Sequence, residues 1–175
     1  FMANSYGIRD NDVIFIAGSN GMVGSAITRL LRKNIKKNHH SNILLTPSRE
    51  EIDLCSYDSV FRWFEEYKPN IIINAAAKVG GILANYSFPV EFLLNNLKIQ
   101  NNIIEASYRF NARRLLFLGS SCIYPKNCKQ PIKEEYLMSS PLESTNEYYA
   151  LAKISGLKLC EAYRKQYGFD VISLM

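Results

Sequence analysis

The stretch Val13-Ile14-Phe15-Ile16-Ala17-Gly18-Ser19-Asn20-Gly21-Met22-Val23-Gly24 decides how this chain folds. Its first five residues are an uninterrupted apolar run closed by Gly18, the pattern of a strand buried on both faces. From Gly21 to about residue 38 the period changes, and Met22, Val23, Ala26, Ile27, Leu30, Leu31 and Ile35 recur at helical spacing. Strand, glycine turn and helix in this order open a dinucleotide-binding α/β unit, whose helix N-terminus turns free amides toward a pyrophosphate. The glycines follow a GxxGxxG spacing, with Ser19, Asn20, Met22 and Val23 between them. Gly18 is placed for the tight turn, Gly21 for approach of a phosphate to the backbone, and Gly24 for close packing of the helix against the sheet.

The same alternation continues outward. Residues 43–45 read as a second strand, 51–54 as a short third strand or its end, and 56–67 as a helix burying Val60, Phe61 and Phe64. The apolar run Ile71-Ile72-Ile73-Asn74 suits a central parallel strand. A long helix over residues 89–110, a strand over 114–118, a loop over 126–146, a helix over 146–167 and a sixth strand from 171 complete the pattern. The class is α/β, a Rossmann-like doubly wound parallel sheet with helices on both faces. Residues 1–12, with Phe1 ahead of Met2 set aside, read as a loose polar lead-in, and 13–175 as the cofactor-binding domain.

A chain of 175 residues can bury one sizeable core. No apolar run approaches the ~18–20 residues needed to cross a bilayer, and no secretory signal precedes Val13, so a cytoplasmic location without a membrane partner is the default. The net charge of +5 is concentrated at Arg29, Arg32, Lys33, Lys36 and Lys37 in the second half of the first helix, where cations complement the helix dipole. A mild basic excess suits a phosphorylated cofactor and a diphosphate-bearing substrate, and no nucleic-acid partner is expected. Cys55, Cys122, Cys128 and Cys160 lack paired CxxC spacing, and His39-His40 has no cysteine or carboxylate at motif distance, so neither a metal site nor a disulfide framework is expected.

The tip of the second strand bears on the cofactor. It reads Leu45-Thr46-Pro47-Ser48-Arg49, with no carboxylate where an NAD site usually holds the ribose hydroxyls, and Arg49 can meet a 2′-phosphate bidentately. NADP is favoured, unless a small register change brings Glu50 or Glu51 inward. Asp53, beside Leu54, is placed either to reach the adenine amine or to cap the next helix. Ala75-Ala76-Ala77 leaves room for a ribose at a strand end, as a well-packed core also would, and Lys78-Val79-Gly80-Gly81 leaves the sheet at its ligand-binding edge. Asn95, Asn96, Asn101 and Asn102 interrupt the long helix; Asn96 is the one expected to serve a backbone or water contact, with plain solvent exposure as the alternative.

Tyr149 and Lys153 stand four apart on one helix and share a face. An ammonium beside a phenol lowers the tyrosine pKa, as a general acid or base at a carbonyl–alcohol interconversion requires. Ser120 or Ser121, at the preceding strand end, is placed to hold the substrate oxygen. Cys122 stands at the same mouth; it reads either as a thiolate able to abstract a carbonyl-acidified proton or as a buried structural thiol.

Four segments carry a close resemblance: Phe15 through Ala26, Asn74-Ala75-Ala76-Ala77-Lys78-Val79-Gly80-Gly81-Ile82, Leu116-Phe117-Leu118-Gly119-Ser120-Ser121-Cys122-Ile123-Tyr124-Pro125-Lys126, and Tyr149-Ala150-Leu151-Ala152-Lys153. Through them the chain resembles the N-terminal part of the GDP-L-fucose synthases, the 3,5-epimerase/4-reductases of the extended short-chain dehydrogenase/reductase family. The resemblance implies a reductase triad of Ser120, Tyr149 and Lys153, an epimerisation cysteine at Cys122, NADPH as hydride source, and a homodimer through the helices beginning near Pro89 and Asn146. It also implies that the histidine partner of Cys122 and most of the GDP-sugar domain lie beyond Met175, so the expectation for these residues alone is cofactor binding with poor sugar turnover. Tyr148 stands where relatives often carry proline, a change expected to affect the helix start. Another nucleotide-sugar epimerase, dehydratase or reductase, or a non-catalytic nucleotide-binding module, is the alternative.

Overall fold

In the computed structural model, which describes residues 7–175, the opening stretch forms β1 (Val13–Ala17) and α1 (Met22–Asn38). There follow β2 (Ile43–Leu45), α2 (Tyr57–Tyr67), β3 (Ile71–Asn74), α3 (Ile82–Ser87), α4 (Pro89–Arg109), β4 (Arg114–Leu118), α5 (Glu147–Tyr167) and β5 (Val171–Leu174). The strands form one parallel sheet in the order β2-β1-β3-β4-β5. The chain moves one way from β1 to β2 and the other way from β3 to β5, so the topological switch lies between β1 and β3. In open α/β sheets that is where ligands bind, at the carboxyl ends of the strands.

The apolar run of β1 is explained by burial on both faces. Ile14 and Ile16 pack with Ile71 and Ile73 of β3 under Ile27 and Leu31 of α1. Phe15 and Ala17 face the opposite layer, where Val60, Trp63 and Phe64 of α2, Ile103 and Ile104 of α4 and Cys160 of α5 join Ile72, Leu115 and Phe117. Trp63 takes a larger share of the α2 face than the sequence pattern suggests: its ring lies 4.5 Å from that of Phe15, and Phe61 is only partly buried.

One expectation is corrected. Residues 51–54 are not a strand, so the described residues hold five strands rather than six. β2 is the sheet's edge and nothing pairs with 51–54; their backbone bonds go instead to Ser48 O, to Ser59 Oγ and, at Leu54 O, from the Asn102 amide, while Ile52 drops into the core. Of the lead-in, residues 7–11 are exposed and belong to no helix or strand, Asp12 is buried, accepts from Arg9 N and pairs with Arg113 at 2.5 Å, and residues 1–6 lie outside the described residues. α3 is a helix the sequence pattern did not announce, because six residues behind a glycine pair carry too little periodicity; Asn85 Nδ2 holds it by donating to Gly80 O and Gly81 O. Tyr148 lies in the first turn of α5, which has Asn146 at its cap position. No described helix is long and apolar enough to cross a membrane.

Gly24 tests how tightly the opening unit is packed. A Cβ there would lie 2.1 Å from Gly18 O, a backbone atom that cannot swing aside. Gly24→Ala is expected to lower the unfolding free energy in urea by about 3 kcal/mol. An unchanged midpoint would mean that the turn yields more easily than this geometry implies.

Candidate active site

A cleft of about 540 Å³ opens at the switch point. Four segments wall it: residues 18–23 after β1, 47–49 after β2, 52–55 before α2 and 75–79 after β3. Gly18 has φ +77°, and a Cβ on it would stand 2.7 Å from the backbone of Ala76, so the β1 turn can cross the end of β3 only as glycine. Gly24 lies behind the cleft wall and packs on this turn rather than on the sheet. α1 begins at Gly21 with no side-chain cap and no carboxylate in its first turn. Ser19, 5 % exposed on the cleft wall, carries a buried Oγ without a hydrogen-bond partner among the described residues. An uncapped helix N-terminus beside an unpaired hydroxyl is a donor set that fits a phosphate group.

At the β2 end neither of the two glutamates left open by the sequence lines the cleft. Glu51 accepts from Ser48 N at 2.7 Å, and the Ser48 hydroxyl holds the Glu50 carboxyl below its ordinary pKa. Arg49 is left on the wall. Asp53 also lines the cleft with Leu54. It does not cap α2, because Ser56 does, and its Oδ1 instead accepts from Cys55 N.

At the β3 end, Ala75, Ala76 and Ala77 form a wall of small side chains, and Asn74 Oδ1 accepts from Ala76 N. Asn96 serves the backbone, as expected: it accepts from Lys78 N at 2.8 Å and donates to Lys78 O and Phe92 O. Lys78 and Val79 reach the cleft, whereas Gly80 and Gly81 lead into α3 outside it. Asn95, Ile99 and Cys55 also line the wall and were not anticipated; the one available signal was the i, i+4 spacing of Asn95 and Ile99 on α4.

One strand further along the sheet, the end of β4 meets the first turns of α5. Ser120 caps the short 3-10 turn Ser121–Ile123, and the Cys122 thiol donates to Ser120 Oγ over 3.1 Å. Lys153, 5 % exposed, donates to Leu118 O at 2.9 Å; its Nζ lies 5.0 Å from the centre of the Phe117 ring and 6.0 Å from that of Tyr149. Thus Ser120, Cys122, Tyr149 and Lys153 converge, while Ser121 is exposed beside them. Burial governs their protonation. It pushes Tyr149 up to about 12, with the charge of Cys122 adding to the rise and the Ser120 hydroxyl opposing it. It pulls Lys153 down to about 8 and raises Cys122, the latter against the Ser120 hydroxyl and the Lys153 charge. The expected lowering of the Tyr149 pKa by Lys153 is therefore overturned: the ammonium is committed to Leu118 O, and desolvation of the phenol dominates. At neutral pH both Tyr149 and Cys122 hold their protons.

A doubly wound parallel sheet, a glycine-turned cleft at its switch point and a Tyr-Lys pair beside a serine-bearing strand end define an α/β protein of the short-chain dehydrogenase/reductase type. Residues 14–175 match the NAD dependent epimerase/dehydratase family, and the chain belongs to it. It is 50% identical to a GDP-L-fucose synthase of Sinorhizobium fredii over 95% of this chain and 51% of that protein. It is 49% identical to GDP-L-fucose synthase 1 of Arabidopsis thaliana over 93% of this chain and 49% of that one. Among solved structures, a GDP-mannoheptose C4 reductase from Campylobacter jejuni with NADP bound superposes with a TM-score of 0.89 at 38% identity, over 95% of this chain and 48% of that one. The chain spans about half the length of the curated relatives it matches.

The Lys153 environment has a pH signature. Below pH 8 the folded protein holds a buried cation that the unfolded chain keeps in water, and the resulting penalty is relieved between pH 8 and the ordinary value of 10.5, where the unfolded state binds more protons. Relative to Lys153→Met, the wild type should gain stability as pH rises from 7.5 to 10, by up to about 3 kcal/mol in urea titrations. A difference that stays flat with pH would place Lys153 in water.

Proposed function

We propose that residues 13–175 are the NADP-binding domain of an enzyme converting GDP-4-keto-6-deoxy-D-mannose to GDP-L-fucose, by C3/C5 epimerisation followed by reduction at C4. The carrying observation is the convergence of Ser120, Cys122, Tyr149 and Lys153 at the end of β4, beside a cleft whose donors fit a dinucleotide. The names of the relatives at 49–50% identity support the same reaction, and the NADP held by the Campylobacter reductase supports the cofactor.

In this reading the first amides of α1, with Ser19, Asn20, Gly21, Met22 and Val23, hold the pyrophosphate. Arg49 meets the 2′-phosphate, Asp53 and Leu54 bracket the adenine, and Ala75, Ala76 and Ala77 leave room on the ribose side. Lys78, Val79, Gly80, Gly81 and Ser121 form the near edge of the sugar site. The bound cofactor supplies the hydride for C4.

The 4-keto group acidifies the protons at C3 and C5. Ser120 donates a hydrogen bond to the ketone oxygen and so stabilises the enolate formed when either proton leaves. Cys122, kept as a thiol by burial, is one member of the acid/base pair and returns a proton to the carbon on the inverted face. In the reduction Tyr149, protonated up to about pH 12, gives its proton to the C4 oxygen as that oxygen becomes an alkoxide. Lys153, its Nζ 6.0 Å from the centre of the Tyr149 ring, places positive charge beside the phenolate that this leaves. One carbonyl and one hydroxyl donor thus serve both reactions.

A homodimer through α4 and α5 belongs to the same reading. Its support is the apolar surface left exposed on these helices and on α3: Leu83, Tyr86, Val90, Leu94, Tyr148 and Leu151. A second reading, C4 reduction of a GDP-sugar without epimerisation, draws on the TM-score of 0.89 with the Campylobacter enzyme.

Two measurements test the proposal. Arg49→Ala should weaken NADPH binding roughly tenfold to a hundredfold, the worth of a charge-assisted pair, while NADH binding stays unchanged; equal losses for both cofactors would remove Arg49 from the 2′-phosphate. In a chain extended to the relatives' full length, Cys122→Ser should abolish solvent-deuterium exchange at C3 and C5 yet retain reduction of the pre-epimerised ketone. Exchange at the wild-type rate would favour the reductase-only reading.

A further inference from the structure

Below the cluster of Ser120, Cys122, Tyr149 and Lys153, α5 meets α4 and β4 at a close contact. Tyr149, Lys153, Gly156 and Cys160 follow one another at steps of four, three and four along α5 and share one face. The first two stand at the mouth of the site. Gly156, one turn deeper, lies where α5, α4 and β4 touch. A Cβ on Gly156 would lie 2.5 Å from Phe117 Cζ and 2.6 Å from Gln100 Oε1, so either these two side-chain ends or the helix itself must move to admit it. Gln100, 2 % exposed on α4, donates from Nε2 to Ala152 O at 2.7 Å, pulling on the turn that carries Lys153. Its Oε1 has no partner among the described residues, so this buried amide is held by one bond to α5 and leaves an acceptor unpaired.

Phe117 links this contact to the chemistry. Its ring is fully buried, touches the Gly156 position with its tip, and carries the Lys153 ammonium over its face. From β4, Lys153 faces the Phe117 ring and Leu118 O; from the 3-10 turn, Cys122; from its own helix, Tyr149. We propose that Gly156 and Gln100 are positioning residues that set how deeply α5 seats against β4, and thereby hold Lys153 and Tyr149 at working distance from Ser120 and Cys122. This rests on the reading of that cluster given above. With the fully buried Phe117 ring held in place by the core, relieving a 2.5 Å contact to ordinary van der Waals distance withdraws the helix by about 1 Å. That is enough to break the 2.9 Å bond from Lys153 to Leu118 O, and displacements of this size at a reacting centre cost on the order of a hundredfold in rate.

The test uses this chain and a readout independent of turnover. Gly156→Ala and Gln100→Leu are compared with wild type by competitive acetic anhydride labelling of lysines across pH, read by peptide mass mapping, with folding checked by circular dichroism. Withdrawal of α5 admits water to Lys153, so its labelling midpoint should rise by at least one pH unit in both variants, while exposed Lys158 keeps its profile. Phe117→Leu added to Gly156→Ala removes the colliding ring tip and should bring the midpoint part of the way back. A folded Gly156→Ala protein with an unchanged Lys153 midpoint overturns the proposal. Should Gly156→Ala not fold, Gln100→Leu decides alone, since it keeps the volume and removes only the bond. NADPH titration of the same variants separates the two readings: loss of binding in the wild type itself would sink the cofactor assignment, not the positioning.

Discussion

The turn after β1 and the end of β3 occupy the same space, and the rest of the structure depends on that contact. Gly18 crosses the backbone of Ala76 at a distance that admits no Cβ, in a left-handed conformation, and Gly24 then lies directly on the carbonyl of Gly18. The two glycines bring the start of α1 down onto the carboxyl end of the sheet. The uncapped amides of that helix, the unpaired Ser19 hydroxyl and the small alanine wall then border one cleft. Larger residues at either position would lift α1 away and open the switch point.

On the other side of β3, burial has the corresponding role. Ser120, Cys122, Tyr149 and Lys153 are brought together by packing of α5 against β4, and removal from water moves their proton affinities in opposite directions: the phenol and thiol keep their protons, and the ammonium approaches neutrality. Desolvation is the largest influence on both Lys153 and Tyr149. The lysine's bond to Leu118 O and its place over Phe117 partly compensate the loss of water.

Buried amides hold the segments around these sites. Asn96 grips both polar groups of the Lys78 backbone, Asn102 ties Leu54, and Gln100 ties α5 at Ala152. All three lie on α4: Asn96 and Asn102 supply backbone partners to the loops at Lys78 and Leu54, and Gln100 ties α4 to the helix α5. The helix is both core element and scaffold for three separate walls of the site.

The doubly wound class, the glycine turn, the boundaries of most strands and helices and the identity of the converging polar residues were all legible in the chain. Each rests on local periodicity or on residue types whose chemistry belongs to them alone, such as a glycine without Cβ or a phenol one helical turn from an amine. What the chain alone did not determine depended on neighbours remote in sequence. Residues 51–54 look like a strand, but their backbone groups are taken by Ser48 O, Ser59 Oγ and the distant Asn102 amide, and the free edge of β2 is left unpaired among the described residues. Glu50 and Glu51 are engaged by Ser48 and do not line the cleft, and Cys55 and Asn95 join it across 40 residues of sequence. The protonation of Tyr149 is the clearest case, because spacing makes Lys153 its neighbour while only the packed tertiary structure decides how much water either of them keeps.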